Sequence, residues 1–320
     1  MLTIITSPYI QFFLLALCAG LLKSDLKIPD QITKAISIFL LIAIGLKGGL
    51  SLRESTINYA DFALIASISV IFSFLIPFVG YFILSFSKKI RPIDAVAVAA
   101  HYGSVSVVTF SYAVSFLQKH NIPEFSGTIV TLMAIMEIPA IFSALIIANY
   151  LRKKQRKGEI KMGRALREEL FNGSVVLLLG SLFVGLTANP EQLQKIKPFI
   201  IDPFYAVLCI FLIELGLIVA SEIKTIRSLP KYLVAFAVLF PIFNFLIGVS
   251  IASFFMSTFA DKFLFGVLCA SASYIAIPAT IKNAIPEANP AIYVTCSLGI
   301  TFPFNLIFGM PLYFELTKLF

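Results

Sequence analysis

Two short stretches carry residue types on which solute-binding chemistry could be built. One is His101-Tyr102-Gly103-Ser104-Val105-Ser106-Val107-Val108-Thr109. The other is Ser271-Ala272-Ser273-Tyr274-Ile275-Ala276-Ile277-Pro278-Ala279-Thr280. Both lie inside long apolar runs. Glycine and serine are poor helix-interior residues, and serine caps a helix N-terminus well. Pro278 cannot donate a backbone hydrogen bond and clashes with a preceding turn, but it suits the first turn of a new helix. Each stretch therefore predicts a helix that stops and restarts. Two restarted helices that face each other would expose unpaired N–H groups and partial positive charge, a cradle for a small anion. Gly103, Ser104, Val105, Ser106, Ser273, Tyr274, Ile275 and Ala276 are the substrate-binding candidates. Ser104, Ser106, Thr109, Ser271, Ser273 and Thr280 could add hydroxyl groups. The competing reading is that small residues here only let helices pack closely.

Ionisable residues inside apolar runs are costly and usually purposeful. Glu137 stands in Met136-Glu137-Ile138-Pro139-Ala140, Glu214 in Ile213-Glu214-Leu215-Gly216, and His101 adjoins the first break. Glu137 could bind a coupling cation or carry a proton, because a low-dielectric setting favours the neutral form of a carboxyl. It could also be a buried acid bonded to a neighbouring helix. Thr109, Glu137, Ser271 and Thr280 are the ion-coupling candidates. Lys47 and Asp94 lie nearer the ends of apolar runs and could reach water. Asn244 and Asn305 read as interhelical hydrogen-bonding residues. No phosphate-binding glycine loop, metal-ligand cluster or nucleophile elbow is present. No catalytic residue and no resident metal or cofactor is expected. An intramembrane enzyme is the runner-up class, with few residues to serve it.

These residues must be positioned by helices in lipid. Of 320 residues, 59% are hydrophobic and only 13% charged, and the mean hydropathy is +0.94. A soluble domain carries roughly a quarter of its residues charged. The net charge of +8 suggests membrane orientation, not nucleic acid, because the basic residues fall in short loops between apolar runs. The cysteines, Cys18, Cys209, Cys269 and Cys296, all sit in apolar stretches as small packing residues.

Apolar runs predict about ten spans: 8–22, 33–50, 59–86, 92–118, 125–151, 170–188, 203–222, 229–257, 260–283 and 290–316. The breaks fall in the fourth and ninth. The linker 152–169 contains Arg152, Lys153, Lys154, Arg156, Lys157, Lys161, Arg164 and Arg167. With that linker cytoplasmic, most Lys and Arg residues share its side, and both termini lie outside.

The chain also matches itself. A shift of 171 places Ile71-Phe72-Ser73-Phe74-Leu75-Ile76 on Ile242-Phe243-Asn244-Phe245-Leu246-Ile247, and Gly45-Leu46 on Gly216-Leu217. A shift of 163 places Ile122-Pro123-Glu124 on Ile285-Pro286-Glu287. Five spans per half is an odd number, so the halves must be inverted. The expected fold is all-α: two inverted five-helix repeats, 1–151 and 170–320, around the linker 152–169, with helices 4 and 9 broken. The expected function is secondary active transport of a small anion, bound at the breaks, by alternating access.

The chain resembles the sodium-dependent bicarbonate transporter family of cyanobacteria and other bacteria. The resemblance rests on Ile44-Gly45-Leu46-Lys47-Gly48-Gly49, Asp94-Ala95, Gly103-Ser104-Val105-Ser106, Glu137-Ile138-Pro139-Ala140, Asp202-Pro203, Gly216-Leu217 and Ile285-Pro286-Glu287-Ala288-Asn289-Pro290. Their shared order covers about 270 residues. It implies a core and a gate domain, bicarbonate as the substrate, sodium as the driving ion, a homotrimer in a bacterial plasma membrane, and in some relatives a PII-like cytoplasmic regulator. The chain departs from the family at the second break, where Tyr274 stands in place of an acid and Ala276 in place of a serine. That removes an expected sodium ligand and leaves proton coupling open. Another small organic or inorganic anion is the alternative substrate.

Overall fold

The computed structural model describes residues 7–54, 59–87, 89–122, 124–154, 163, 167, 171, 173–273 and 276–320. Among the described residues there are helices and no strands. In chain order they are α1 (Pro8–Leu21), α2 (Asp30–Glu54), α3 (Tyr59–Ser85), α4 (Pro92–Gly103), α5 (Val107–Lys119) and α6 (Gly127–Lys154). Then come α7 (Gly173–Thr187), α8 (Pro190–Ile200), α9 (Phe204–Ser228), α10 (Lys231–Phe255), α11 (Phe259–Ala270), α12 (Ala276–Ala284) and α13 (Pro290–Thr317). Within α13 the stretches Thr295–Thr301 and Asn305–Gly309 are π-helical.

Seven helical stretches among the described residues are long and apolar enough to cross a membrane. Shorter apolar helices α1 and α7 accompany them. The chain is a multi-pass membrane protein. Most of the basic linker lies outside the described residues. The sequence reading leaves 189–202 as a loop, whereas the structure forms α8 there. The reason is local: the Asn189 side chain accepts the Glu191 N–H at 2.8 Å, with Pro190 in the first turn.

The heaviest packing falls in two groups, which α2 on α6 and α9 on α13 join. In one, α2 packs on α7, α1 on α9, and α2 on α9. In the other, α3 packs on α4 and α6, α4 on α6, and α10 on α11 and α13. The stretch Pro92–Lys119 is 89% buried over its apolar window, against 33% for Ala60–Ser85, so α4 and α5 sit at the centre.

Two glycines set the first group. A Cβ on Gly45 of α2 would lie 2.6 Å from Ser181 Cβ and 2.8 Å from the Leu178 carbonyl oxygen of α7. A Cβ on Gly216 of α9 would lie 2.5 Å from the Phe13 carbonyl oxygen and 2.9 Å from Ala16 Cβ of α1. In both contacts the backbones touch, which a larger residue forbids.

Prolines set the second group. Pro241 removes the donor that the Ala237 carbonyl would have used. The Thr301 hydroxyl donates to that carbonyl at 2.6 Å and accepts from Tyr102 Oη at 2.7 Å. Pro77 likewise frees the Ser73 carbonyl, which Gly103 approaches closely.

Two buried acids tie helix starts to neighbouring loops. Asp94, in the first turn of α4, accepts the Asn289 N–H at 2.8 Å and pairs with Arg91 at 2.6 and 2.7 Å. Asp261, in the first turn of α11, accepts the Ser126 N–H at 2.8 Å. The sequence reading has Asp94 reaching out to water, yet it is 2% exposed and fully engaged.

Candidate functional site

The site begins where α4 stops. Gly103 is its last residue, and Ser104 and Ser106 are extended before α5 starts at Val107. Gly103 is required by space: a Cβ would lie 2.6 Å from Pro77 Cγ and Cδ, and 2.8 Å from the Ser73 carbonyl oxygen. The Ser73 hydroxyl lies 2.7 Å from the Gly103 carbonyl and also contacts that of Met136. Of these two carbonyls, that of Gly103 ends α4 and has no intrahelical donor.

Ser106 caps α5. Its Oγ accepts from the Thr109 N–H and the Thr109 hydroxyl, both at 3.1 Å. Thr109 therefore completes the cap. The N–H groups of Val107 and Val108, at the start of α5, have no intrahelical acceptor.

The second stretch meets the first. Ser271 Oγ accepts the Ser106 N–H at 3.0 Å and donates to the Leu268 carbonyl at 2.8 Å. The Ser273 N–H donates to the His101 carbonyl at 2.9 Å. Ser271 is extended after the end of α11, and α12 starts at Ala276. Tyr274 and Ile275 lie outside the described residues, and only the backbone of Ala276 is described. Thr280 is buried in α12.

Beside these stretches is a cavity of about 30 Å³. Val105, Ser106, Glu137 and Ser273 line it, together with Val107 and Val108 at the α5 start. Its opposite wall comes from the first group of helices: Ser37, Leu40 and Leu41 of α2, Ser174 of α7 and Phe211 of α9. A single water needs about 10–15 Å³ on this measure, so the cavity suits one solute of a few heavy atoms. Glu137 is 4% exposed on α6. Two residues on, Pro139 removes the intrahelical donor for the Ile135 carbonyl.

Gly103, Ser104, Thr109, Ser271 and Thr280 are not in the cavity wall. They support the breaks or adjoin them. Ser104 Oγ is buried and has no partner among the described residues. His101 stacks on Tyr293 with ring centroids 4.9 Å apart. Its Nδ1–H donates to the Ala97 carbonyl at 2.7 Å, which makes Nε2 a buried acceptor without a protein partner. Glu214 is half-buried on α9 and does not reach the cavity wall. Asn305 does bond between helices, giving its amide to the Ala270 carbonyl at 3.0 Å and accepting Tyr313 Oη at 2.8 Å. Asn244 does not: among the described residues neither side-chain atom has a partner, although the residue is fully buried.

Ser37, Ser174 and Phe211 have no signal in the sequence, because a helix face cannot be assigned within a uniformly apolar span. Asp94 and Asp261 do have one. Each is an acid in the first turn of a helix that stops at a break.

A family model described as the Na+-dependent bicarbonate transporter superfamily matches residues 8–318. No curated protein matches the chain at a significant level.

Proposed function

The chain belongs to the Na+-dependent bicarbonate transporter superfamily, and on that footing we propose that it is a secondary active transporter that carries bicarbonate with sodium. The observation that carries this reading is the small cavity where the start of α5, Ser273 and Glu137 converge. The free N–H groups at the start of α5 and the local dipole suit a small anion. The Glu137 carboxylate suits a cation beside it. Its volume favours bicarbonate or another small monovalent anion over larger organic solutes, whose pockets run to several hundred Å³. A transporter also accounts better than an intramembrane enzyme for a site shared between two helix groups.

Alternating access follows from that shared wall. One wall belongs to α2, α7 and α9, the other to α5, α6 and the second break. Movement of one group past the other would close one entrance and open the opposite one. We read the architecture as ten spans in two inverted halves, with the fourth span broken between α4 and α5 and the ninth between α11 and α12. Paired features support it. Gly45 presses α2 on α7 as Gly216 presses α9 on α1. Asp94 takes the Asn289 N–H as Asp261 takes the Ser126 N–H. Packing of α3 on α4 is matched by α10 on α11. We place the basic linker on the cytoplasmic side of a bacterial plasma membrane, with both termini outside. A homotrimer and a PII-like regulator remain proposals from the resemblance alone.

Uptake of labelled bicarbonate into proteoliposomes tests the function. An inward sodium gradient should drive accumulation above that of protein-free vesicles, and collapsing the gradient should abolish it. Accumulation of another monovalent anion in preference to bicarbonate would move the chain to the second reading. No anion uptake at all would reject transport.

A further inference from the structure

A second compartment lies along the same helices. It is a vestibule of about 1010 Å³. On α2 the small cavity is lined by Leu40 and Leu41, and the vestibule by Ala43, Ile44 and Lys47. On α5 the order is Val107 and Val108, then Phe110 and Val114. On α9 Phe211 lines the cavity, and Phe204 and Tyr205 the vestibule. The two spaces are therefore in series, and a solute bound for the cavity from this side passes Lys47.

Among the described residues, Lys47, Lys197, Glu124, Asp202 and Asp261 bring charge to the vestibule wall. Lys197, Glu124 and Asp202 are exposed at its rim. Asp261 is held by the Ser126 N–H and by its own helix cap. Lys47 is different. It is half-buried, and its Nζ lies 5.0 Å from the centroid of the Phe125 ring. Among the described residues it makes no ion pair or hydrogen bond. Its ammonium stands on Phe125, the residue before Ser126, whose N–H Asp261 holds. Among the described residues the vestibule thus holds an ammonium without an ion pair, supported by an aromatic face that cannot neutralise it.

We infer that Lys47 forms an outer binding site for a small monovalent oxyanion, which holds the solute before it enters the cavity. This rests on the reading of the chain as an anion carrier. Lysine here supplies a compact charge with rotatable donors, suited to a ligand that must be released onward. The exposed acids at the rim do not oppose it, because water screens them over the width of the vestibule.

The test is anion-dependent thermal stabilisation of the purified protein in detergent, with sodium bicarbonate, formate and nitrate titrated separately against sodium gluconate. For Lys47→Met, the concentration giving half the stabilisation should rise about fivefold, the scale of one partly solvated ion pair. Lys47→Arg should stay close to the wild type. Lys47→Gln serves if the Met variant is not recovered. Stabilisation curves that superimpose for wild type and Lys47→Met would overturn the site, as would a wild type that no anion stabilises. Stabilisation by nitrate and not by bicarbonate, lost with Lys47, would keep the site and reject bicarbonate as the cargo. Bicarbonate stabilisation untouched by the substitution would do the reverse.

Discussion

Glutamine in place of Glu137 is expected to leave a folded protein whose bicarbonate uptake no longer follows the cation gradient. Glu137 is almost fully buried in a membrane helix and lines the cavity with Ser106 and Ser273. A carboxylate at that depth is costly unless a positive charge meets it. Glutamine keeps the shape and hydrogen-bonding reach but removes the charge. Losing a charged partner of this kind costs about 1.5–3 kcal/mol, so the sodium concentration for half-maximal uptake should rise by roughly ten- to a hundredfold. If the wild type instead follows a proton gradient, the same variant should lose that dependence. Uptake by Glu137→Gln with full gradient dependence would make the residue structural only.

The second large effect is on stability. Gly103→Ala adds one methyl group, 2.6 Å from two ring carbons of Pro77 and 2.8 Å from a backbone oxygen. Neither neighbour is the free end of a flexible chain. Overpacking of this kind costs about 1–3 kcal/mol or more. The apparent melting temperature in detergent should fall by several degrees, and uptake should fall with it, because Gly103 sets where α4 stops. Gly180→Ala is the control, since a Cβ there meets nothing within 4 Å. Equal melting temperatures for the two variants would show that the backbone at Gly103 yields, and that the break does not depend on this contact.

How much of this could be read beforehand differs from residue to residue. Gly103 and Ser106 were legible because their chemistry is local: a glycine that stops a helix and a serine that caps the next. Glu137 was legible because an acid in an apolar run is rare. The chain resembles its family through the same motifs, and the family match spans nearly all of it. The far wall of the cavity was not legible. Ser37, Ser174 and Phe211 come from three helices whose apolar sequence looks alike toward lipid and toward protein. Asn244 and Asn305 looked equivalent, yet among the described residues Asn305 has partners and Asn244 has none, because partnership depends on which turn of a neighbouring helix ends nearby. The α8 helix was missed because the marks of its start, Asn189-Pro190-Glu191, also mark a turn.

The pairing of Asp94 with Asn289 and of Asp261 with Ser126 joins residues 195 and 135 positions apart. No local pattern announces such contacts. The shift that aligns Ile122-Pro123-Glu124 with Ile285-Pro286-Glu287 brings Ser126 onto Asn289. That self-match sets on one another the two residues whose backbone N–H groups Asp261 and Asp94 accept.

In the function proposed above, bicarbonate and a cation move together through the site at the two breaks. Entry of labelled sodium into proteoliposomes, with and without external bicarbonate at the same ionic strength, tests it most directly. Bicarbonate should accelerate sodium entry in the wild type and have little effect in Glu137→Gln. Sodium entry indifferent to bicarbonate, in vesicles that do take up bicarbonate, would contradict it.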